Sequence, residues 1–308
     1  MAAVLNGVAG HHLAGTDNPL AEAMSIRVAG RAVALDRASL AAAYPTAGGR
    51  VVLLIHGLCM NELQWARRGH DHGAALSADL GLTPVYLRYN TGLHVSHNGR
   101  TLAPLLEALV DAWPVPLREL CVVVHSMGGL VIRSACHAAE QQGLGWLPRL
   151  RKIVFLGTPH HGAPLERAGN RLHRVLAAAP YTGGLARLGA IRSAGITDLR
   201  YGNVVNADWS GRDRFAPGGD PREPVPLPRG VECYAAAATT GRRRGDLRDR
   251  LLGDGLVPLH SALGANPSLP GRSMDFPAEH QWIGYRMGHL DLLSRPEVYE
   301  RIRGWLER

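Results

Sequence analysis

The chain has 308 residues, 46% of them hydrophobic, and a formal net charge of +8. A chain of this length can bury enough surface to fold without disulfides or a structural metal. The basic residues are almost all scattered arginines and no nucleic-acid-binding motif accompanies them, so the composition argues against a nucleic-acid partner.

The remaining bulk features favour a cytoplasmic protein of unspecified oligomeric state. The densest basic run, at 241–250, is interleaved with Asp246 and Asp249. It is typical of a solvated loop, and a peripheral contact with a membrane or another anionic surface is the alternative. The cysteines lack CxxC spacing, which favours reduced, packed thiols. We find no signal-peptide pattern and no apolar run of about 18 residues.

The first elements in chain order form a segment of their own, residues 1–49. A helical or loose lead-in over 1–24 precedes a pattern that alternates about Gly30 and predicts a β-hairpin. A short helix then follows and ends at Pro45. We therefore interpret residues 1–49 as an N-terminal extension.

From residue 50 onward, apolar strands alternate with helices. Strands are expected at 50–57, 81–90, 119–125, 151–159 and 231–238, and helices at 98–114 and about 127–142. Several of the strands are continuous apolar runs, which is typical of strands buried on both faces. The pattern predicts an α/β domain over 50–308, with a mostly parallel central sheet and helices on both faces.

A long stretch at about 160–230 interrupts this alternation. It contains two helical patterns followed by a run rich in proline and glycine, and it is too long for a plain connection between core strands. We interpret it as a cap insertion over the sheet edge. Helical spacing predicts an apolar acyl pocket from Leu172, Val175, Leu176, Leu185, Leu188 and Ile191.

The sequence VVVHSMGGLVIRS, residues 122–134, places Ser126 where a β-branched run turns directly into a helical pattern. Such a sharp strand-to-helix turn presents a serine hydroxyl as a nucleophile. Gly128 supplies one small residue two positions from the serine, whereas Val124 stands where glycine is usual. A packed turn serine is the alternative.

A nucleophilic serine needs a base and a group that orients the base. Where the serine lies on a strand-to-helix turn, these partners follow in the chain order Asp or Glu, then His. Asp254 lies between glycines after the strand at 231–238. His289 follows and is expected at the head of the last helix. Taken alone, Asp254 is also explained as a helix cap or a turn former, and His289 as a cap or a packed histidine.

Two backbone N–H groups are expected to bind the oxyanion of an acyl-transfer intermediate. One belongs to Met127, which follows the nucleophile. The other belongs to Leu58, after the turn at Gly57, with Cys59 as the alternative if the loop is shifted. His56 precedes this turn and is expected to be structural.

Several segments together resemble the α/β-hydrolase superfamily: VVLLIHGLCMNELQW, VVVHSMGGLVIRS, VFLGTPHHGAPLE, GDGLVPLHSAL and GHLDLLSRPEVYERI. The resemblance covers roughly residues 50–308 and is strongest to lipase-like members related to PGAP-type deacylases and bacterial triacylglycerol lipases. It implies Ser126 as the nucleophile, His289 as the base and Asp254 as its partner. It also implies that Leu58 and Met127 supply the oxyanion donors.

A histidine-rich stretch at 67–76 is a candidate metal site. Its His70, Asp71 and His72 could bind a metal only with a distant further ligand, because adjacent helix positions do not share a face. A capping or solvated loop is the alternative, and no metal is expected.

Other polar residues are candidates for substrate contacts. His94 and His97 are expected near the mouth of the site, and His160 or His161 could line the pocket. Ser261 lacks the strand–turn–helix context of a nucleophile.

These features predict a serine hydrolase that cleaves carboxylic esters, of small molecules or lipids, through an acyl-serine intermediate and without a cofactor. An acyltransferase with the same catalytic residues is the first alternative. A non-catalytic binding protein of the same fold is the second.

Overall fold

The computed structural model describes residues 2–163, 193–212, 220, 222–243, 253–267 and 269–308. The six apolar side chains expected to form the acyl pocket lie outside these residues, as does most of the basic run at 241–250. Of the expected cap insertion, the structure describes both ends and the stretch at 193–212.

One eight-stranded sheet forms the centre of the protein, in the order β2-β1-β4-β3-β5-β6-β7-β8. The strands β3 to β8 pair in parallel, and β1 pairs antiparallel with β2 and β4. The strands are β1 Ser25–Val28, β2 Arg31–Ala32, β3 Arg50–Ile55, β4 Thr83–Arg88, β5 Glu119–His125, β6 Leu150–Leu156, β7 Glu232–Thr239 and β8 Gln281–Tyr285. The mostly parallel α/β sheet predicted from the sequence is confirmed.

Helices cover both faces of this sheet. The described helices are α1 Ala2–Gly15, α2 Arg37–Ala43, α3 His72–Leu80, α4 Val95–Ala112, α5 Gly128–Gln142, α6 Ala194–Asp198, α7 Leu259–Ala262 and α8 Pro296–Glu307. One hydrophobic core joins the sheet to α2, α4 and α5, and a second joins its other face to α3 and α8. Side chains in β3 and β5 alternate between the two cores, which explains why both strands are continuous apolar runs. None of the described helices is both long and apolar enough to cross a bilayer.

Several elements differ from the sequence-based expectations; β6, for example, ends at Leu156 rather than at residue 159. The helix α4 begins at Val95, three residues earlier than expected, and Asp198 caps it by accepting from the Val95 N–H at 2.8 Å. The strand β8 (Gln281–Tyr285) was not expected. The expectation that His289 heads the last helix is wrong, because His289 lies in a separate 3₁₀ turn, His289–Leu293, and α8 begins at Pro296.

The N-terminal segment is packed onto the rest of the protein. The strands β1 and β2 form a hairpin that extends the sheet beyond β4. The helix α1 lies against the loops that follow β3 and β4, where Val4 and Val8 form a small core with Cys59. Residues 2–15 therefore contact the end of the sheet at which the parallel strands terminate.

Candidate active site

Ser126 lies in a tight turn between β5 and α5. Its φ of +53° is left-handed, which costs about 1–2 kcal/mol for a residue with a Cβ and persists only where the surroundings hold it. The Ser126 N–H donates to the Leu156 carbonyl at 2.8 Å, and the Gly129 N–H donates to the Ser126 carbonyl at 3.0 Å. The backbone of β6 and the first turn of α5 thus hold Ser126 in this conformation.

Glycines allow β3 to approach this turn. A Cβ on Gly128 would lie 2.6 Å from the Ile55 carbonyl oxygen, and one on Gly57 would lie 3.0 Å from Ser126 Cβ. Gly57 therefore serves a close approach rather than a special backbone conformation, since its φ is not among the positive ones. Val124, which replaces the usual glycine, is fully buried in the core between Ile55 and Phe155. The valine is thus accommodated within β5.

Asp254 and His289 form a buried pair on the loops after β7 and β8. His289 Nδ1 lies 2.6 Å from Asp254 Oδ2, and the His289 N–H donates to the Asp254 carbonyl at 3.1 Å. The other carboxylate oxygen accepts from the backbone N–H groups of Leu256 and Val257. If Nδ1 carries the proton of the neutral imidazole and donates it to the carboxylate oxygen, Nε2 is left as the acceptor.

The pair lies against the strand ends that hold Ser126. A Cβ on Gly157, next to the Leu156 that accepts from Ser126, would lie 3.1 Å from His289 Cε1. The His125 ring lies 4.6 Å from the His289 ring, and its Nε2 is 3.2 Å from the His289 carbonyl oxygen. Among the described residues, the Ser126 hydroxyl makes no hydrogen bond to His289. Catalytic hydrogen bonds are often formed only when substrate binds.

The two expected oxyanion donors lie beside Ser126. No backbone acceptor within the described ranges takes the N–H of Leu58 or of Met127. The Cys59 N–H, by contrast, donates to Thr91 Oγ1 at 3.1 Å, so it is unavailable to a substrate. The geometry therefore favours Leu58 over Cys59.

His56 and His125 are buried next to the site. The His56 ring stacks on Tyr89 with centroids 4.5 Å apart, and its Nδ1 lies 3.0 Å from the Gly57 carbonyl oxygen. Burial lowers the pKa of His56 to about 4 and lowers that of His125 well below its ordinary value. Both rings are therefore neutral at pH 7. His56 packs as expected, and His125 contacts the backbone of His289.

The histidines at 67–76 make internal contacts. His72 Nε2 lies 2.9 Å from the Leu292 carbonyl oxygen, so its N–H points there and His72 Nδ1 accepts from His70 Nε2 at 2.8 Å. Asp71 caps α3 and accepts from the Tyr86 hydroxyl. Within the described part of the chain, no group of three or more His, Cys, Asp or Glu could hold a metal ion.

His94 and His97 lie beside Trp209, which belongs to the segment between β6 and β7. The His94 ring is parallel to the indole at 3.7 Å, and its Nδ1 lies 3.1 Å from Asp198 Oδ2. The His97 ring meets the indole edge-on at 5.3 Å. These residues fix the described part of this segment to the start of α4.

The turn after β6 is joined to the loops of β7. The His161 N–H donates to Ser261 Oγ, whose hydroxyl donates to the Gly162 carbonyl at 2.7 Å. Arg222 donates to the His160 carbonyl at 2.9 Å and pairs with Asp220. His160 is fully buried, and burial lowers its pKa well below the usual value. Ser261 thus has a structural role.

The residues that hold these loops were not predicted in this role from the sequence. Thr91, His72, Arg222 and His125 each contact a loop of the site from a distant position in the chain. Only His125 has a local indicator, its place directly before Ser126.

The parallel sheet, the serine on a strained turn after a central strand and the Asp–His pair after later strands define an α/β-hydrolase fold. The chain belongs to the PGAP1-like alpha/beta domain family, whose profile matches residues 46–219. That match includes Ser126 and ends before Asp254 and His289. No curated protein sequence matches this chain significantly.

Solved structures share the fold at low sequence identity. The mature form of Bacillus licheniformis lipase BlEst2 is 17% identical, with a TM-score of 0.54, over 83% of this chain and 91% of the lipase. Aspergillus fumigatus lipase B is 10% identical, with a TM-score of 0.52, over 92% of this chain and 56% of the other. At these identities the likeness establishes the fold.

Proposed function

We propose that the protein is a serine hydrolase that cleaves carboxylic esters through an acyl-serine intermediate. The observation that carries this proposal is the buried contact of 2.6 Å between His289 Nδ1 and Asp254 Oδ2, next to the strained turn of Ser126. A buried carboxylate that fixes an imidazole beside an activated-serine turn is the arrangement that general-base catalysis requires.

In this mechanism, Ser126 Oγ attacks the acyl carbon while His289 Nε2 accepts the hydroxyl proton. Asp254 holds the imidazole in the required tautomer and stabilises its cation. When the tetrahedral intermediate collapses, the alcohol leaves with the proton from His289. Water then attacks the acyl-Ser126 ester, again with His289 as the base, and releases the acid.

The N–H groups of Leu58 and Met127 stabilise the oxyanion in both steps. Two observations support this role. Among the described residues, no backbone acceptor takes either N–H group, and each of the two residues adjoins one with a left-handed φ, Cys59 or Ser126. Loss of one such donor typically costs about 3 kcal/mol in the barrier.

The substrate class follows the fold relatives. Both BlEst2 and lipase B are named as lipases, and we extend ester cleavage, of small molecules or lipids, to this chain. The insertion at about 160–230 would cover the site as a cap on the domain of residues 50–308. Gly195 supports this, because a Cβ there would meet the backbone of Thr91 beside the Leu58 loop. The buried, free cysteines fit the cytoplasmic location that we propose.

Active-site labelling tests the proposal. A fluorophosphonate probe should label the wild type stoichiometrically and should not label Ser126→Ala, and p-nitrophenyl esters should be hydrolysed only by the wild type. Ser77→Ala, on the exposed face of α3, is the matched control and should behave as the wild type. Labelling that persists in Ser126→Ala would exclude Ser126 as the nucleophile, and an inert wild type would favour the non-catalytic alternative. Ester products formed with an added alcohol would indicate acyl transfer.

A further inference from the structure

The loop that carries Leu58, residues 57–60, is held in a strained conformation; we call it the oxyanion loop. Cys59 has a φ of +59°, a left-handed value for a residue with a Cβ. Strained residues of this kind persist only where surrounding contacts hold them. Two elements outside the loop provide these contacts: Thr91 after β4, and the helix α1.

Thr91 satisfies the backbone of the strained residue. Its Oγ1 accepts from the Cys59 N–H at 3.1 Å, and both residues are buried. Because the Cys59 N–H points to Thr91, the preceding N–H, of Leu58, is left for the site. Asn90 fixes the turn that carries Thr91, since its Oδ1 accepts from the Gly92 N–H and its carbonyl accepts from Asn98 Nδ2.

The helix α1 packs directly on the same loop. A Cβ on Gly7 would lie 2.8 Å from Cys59 Cα, so only glycine lets the helix approach this closely. The helix is itself fixed, because Ser193 Oγ donates to the Gly7 carbonyl at 2.6 Å and Asn90 Nδ2 donates to the Gly10 carbonyl at 3.1 Å. The oxyanion loop therefore cannot relax outward while α1 is docked.

We propose that Thr91 and α1 are positioning elements that hold the oxyanion loop so that the Leu58 N–H is directed at the substrate oxygen. This inference depends on the serine hydrolase function proposed above. It assigns a positioning role to the part of α1 around Gly7, which lies outside the family match of residues 46–219.

The first test separates the Thr91 hydroxyl from its volume. Thr91→Val keeps the shape and removes the acceptor, whereas Thr91→Ser keeps the acceptor. Because an oxyanion donor contributes roughly 10²–10³-fold to kcat, its displacement in Thr91→Val should lower kcat by about tenfold or more with little change in KM. Affinity for a trifluoromethyl ketone, whose hemiketal oxyanion occupies the same place, should fall by a similar factor. Thr91→Ser should restore most of both.

The second test displaces the loop from the other side. In Gly7→Ala the new methyl group meets Cys59, and kcat and ketone affinity should fall as in Thr91→Val. Gly15→Ala is the matched control, because nothing lies within 4 Å of a Cβ at this position of the same helix. It should retain wild-type kinetics.

The outcomes distinguish the two proposals. An active wild type with unchanged kcat and ketone affinity in folded Thr91→Val and Gly7→Ala would overturn the positioning role and leave the hydrolase function intact. An inert wild type would overturn the function itself. A loss of thermal stability without a change in the kcat of the folded protein would also overturn the positioning role. If Gly7→Ala does not fold, the comparison of Thr91→Val with Thr91→Ser alone tests the proposal.

Discussion

The turn that carries Ser126 is held by backbone atoms of neighbouring strands, whereas the loop that carries His289 is held mainly by side chains from distant segments, with one backbone bond to Asp254. The Ser126 N–H donates to the Leu156 carbonyl, and Gly128 lies against the carbonyl oxygens of Ile55, the last residue of β3, and of His56. Around His289, the contacts come from Asp254 and His125, and the same turn is contacted by His72 at the Leu292 carbonyl.

This difference affects how each half of the site responds to mutation. Backbone contacts between parallel strands leave no space for added atoms, so the Ser126 side should respond to changes in volume. Side-chain contacts depend on charge and protonation, so the His289 side should respond to charge and pH. The four predictions below test this contrast.

The largest effect is expected on the His289 side, from Asp254→Asn. The amide conserves the shape of the side chain but can present an N–H to His289 Nδ1, which favours the wrong tautomer. By analogy with other Ser-His-Asp sites, kcat should fall by about 10³–10⁴-fold. Asp111→Asn, on the exposed surface of α4, is the control and should leave kcat unchanged. A loss smaller than about tenfold would mean that Asp254 does not orient the base.

On the Ser126 side, volume is the decisive property. Gly128→Ala places a methyl group 2.6 Å from the Ile55 carbonyl oxygen, and we expect a destabilisation of about 1–3 kcal/mol or more. Gly304→Ala in α8 meets nothing within 4 Å and should stabilise the protein by about 0.5–1 kcal/mol. Urea unfolding measures both. Equal effects of the two substitutions would contradict the close approach of β3 and α5.

The same contrast explains how far the sequence predicts the molecule. The strand β5 was expected with the bounds it has, because a short, continuous run of β-branched and other apolar residues between polar ones is typical of a buried strand. The strand β8 was not expected, because Gln281–Tyr285 is a short edge strand, mostly half-buried, that includes Gly284. The local pattern therefore indicates the buried strand β5 but not the half-buried edge strand β8, whereas the hairpin at the opposite edge was expected.

In the site, the turn of Ser126 could be predicted because strand, serine and glycine are consecutive. The pairing of Asp254 with His289 could be inferred only from chain order, since a side-chain contact between residues 35 positions apart has no local pattern. Thr91 and His72 each reach a loop far along the chain through one hydrogen bond, so nothing in their own neighbourhoods indicates this role.

The third prediction concerns pH. Burial lowers the pKa values of His56 and His72 to about 4, against about 6.5 when unfolded. Because the unfolded chain binds protons first, the free energy of unfolding should decrease as pH falls from about 6.5 to about 4. Each histidine contributes a slope of about 1.4 kcal/mol per pH unit.

Urea unfolding at several pH values measures this slope, and His72→Gln provides the comparison. The glutamine amide can still donate toward the Leu292 carbonyl, but it does not titrate in this range. The free energy of unfolding of the variant should therefore change less steeply with pH, by about 1.4 kcal/mol per pH unit, which corresponds to one proton fewer taken up on unfolding. A stability independent of pH over this window would show that these histidines are not buried in the neutral form.

The smallest effect is expected from Arg68→Ala, at the outer edge of the His289 turn. Arg68 Nη1 lies 2.9 Å from Asp291 Oδ1, but the arginine side chain is 62% exposed, so water and salt screen the pair. Asp291 Oδ2 also accepts from the Gly288 N–H at 2.9 Å, and this contact remains in the variant. Because exposed pairs contribute about 0–1 kcal/mol, kcat should fall by less than about fivefold, and high salt should reproduce the effect in the wild type. Asp291→Ala removes both contacts and should lower kcat further. If Arg68→Ala proved as damaging as Asp291→Ala, the exposed ion pair rather than the bond to Gly288 would hold this turn.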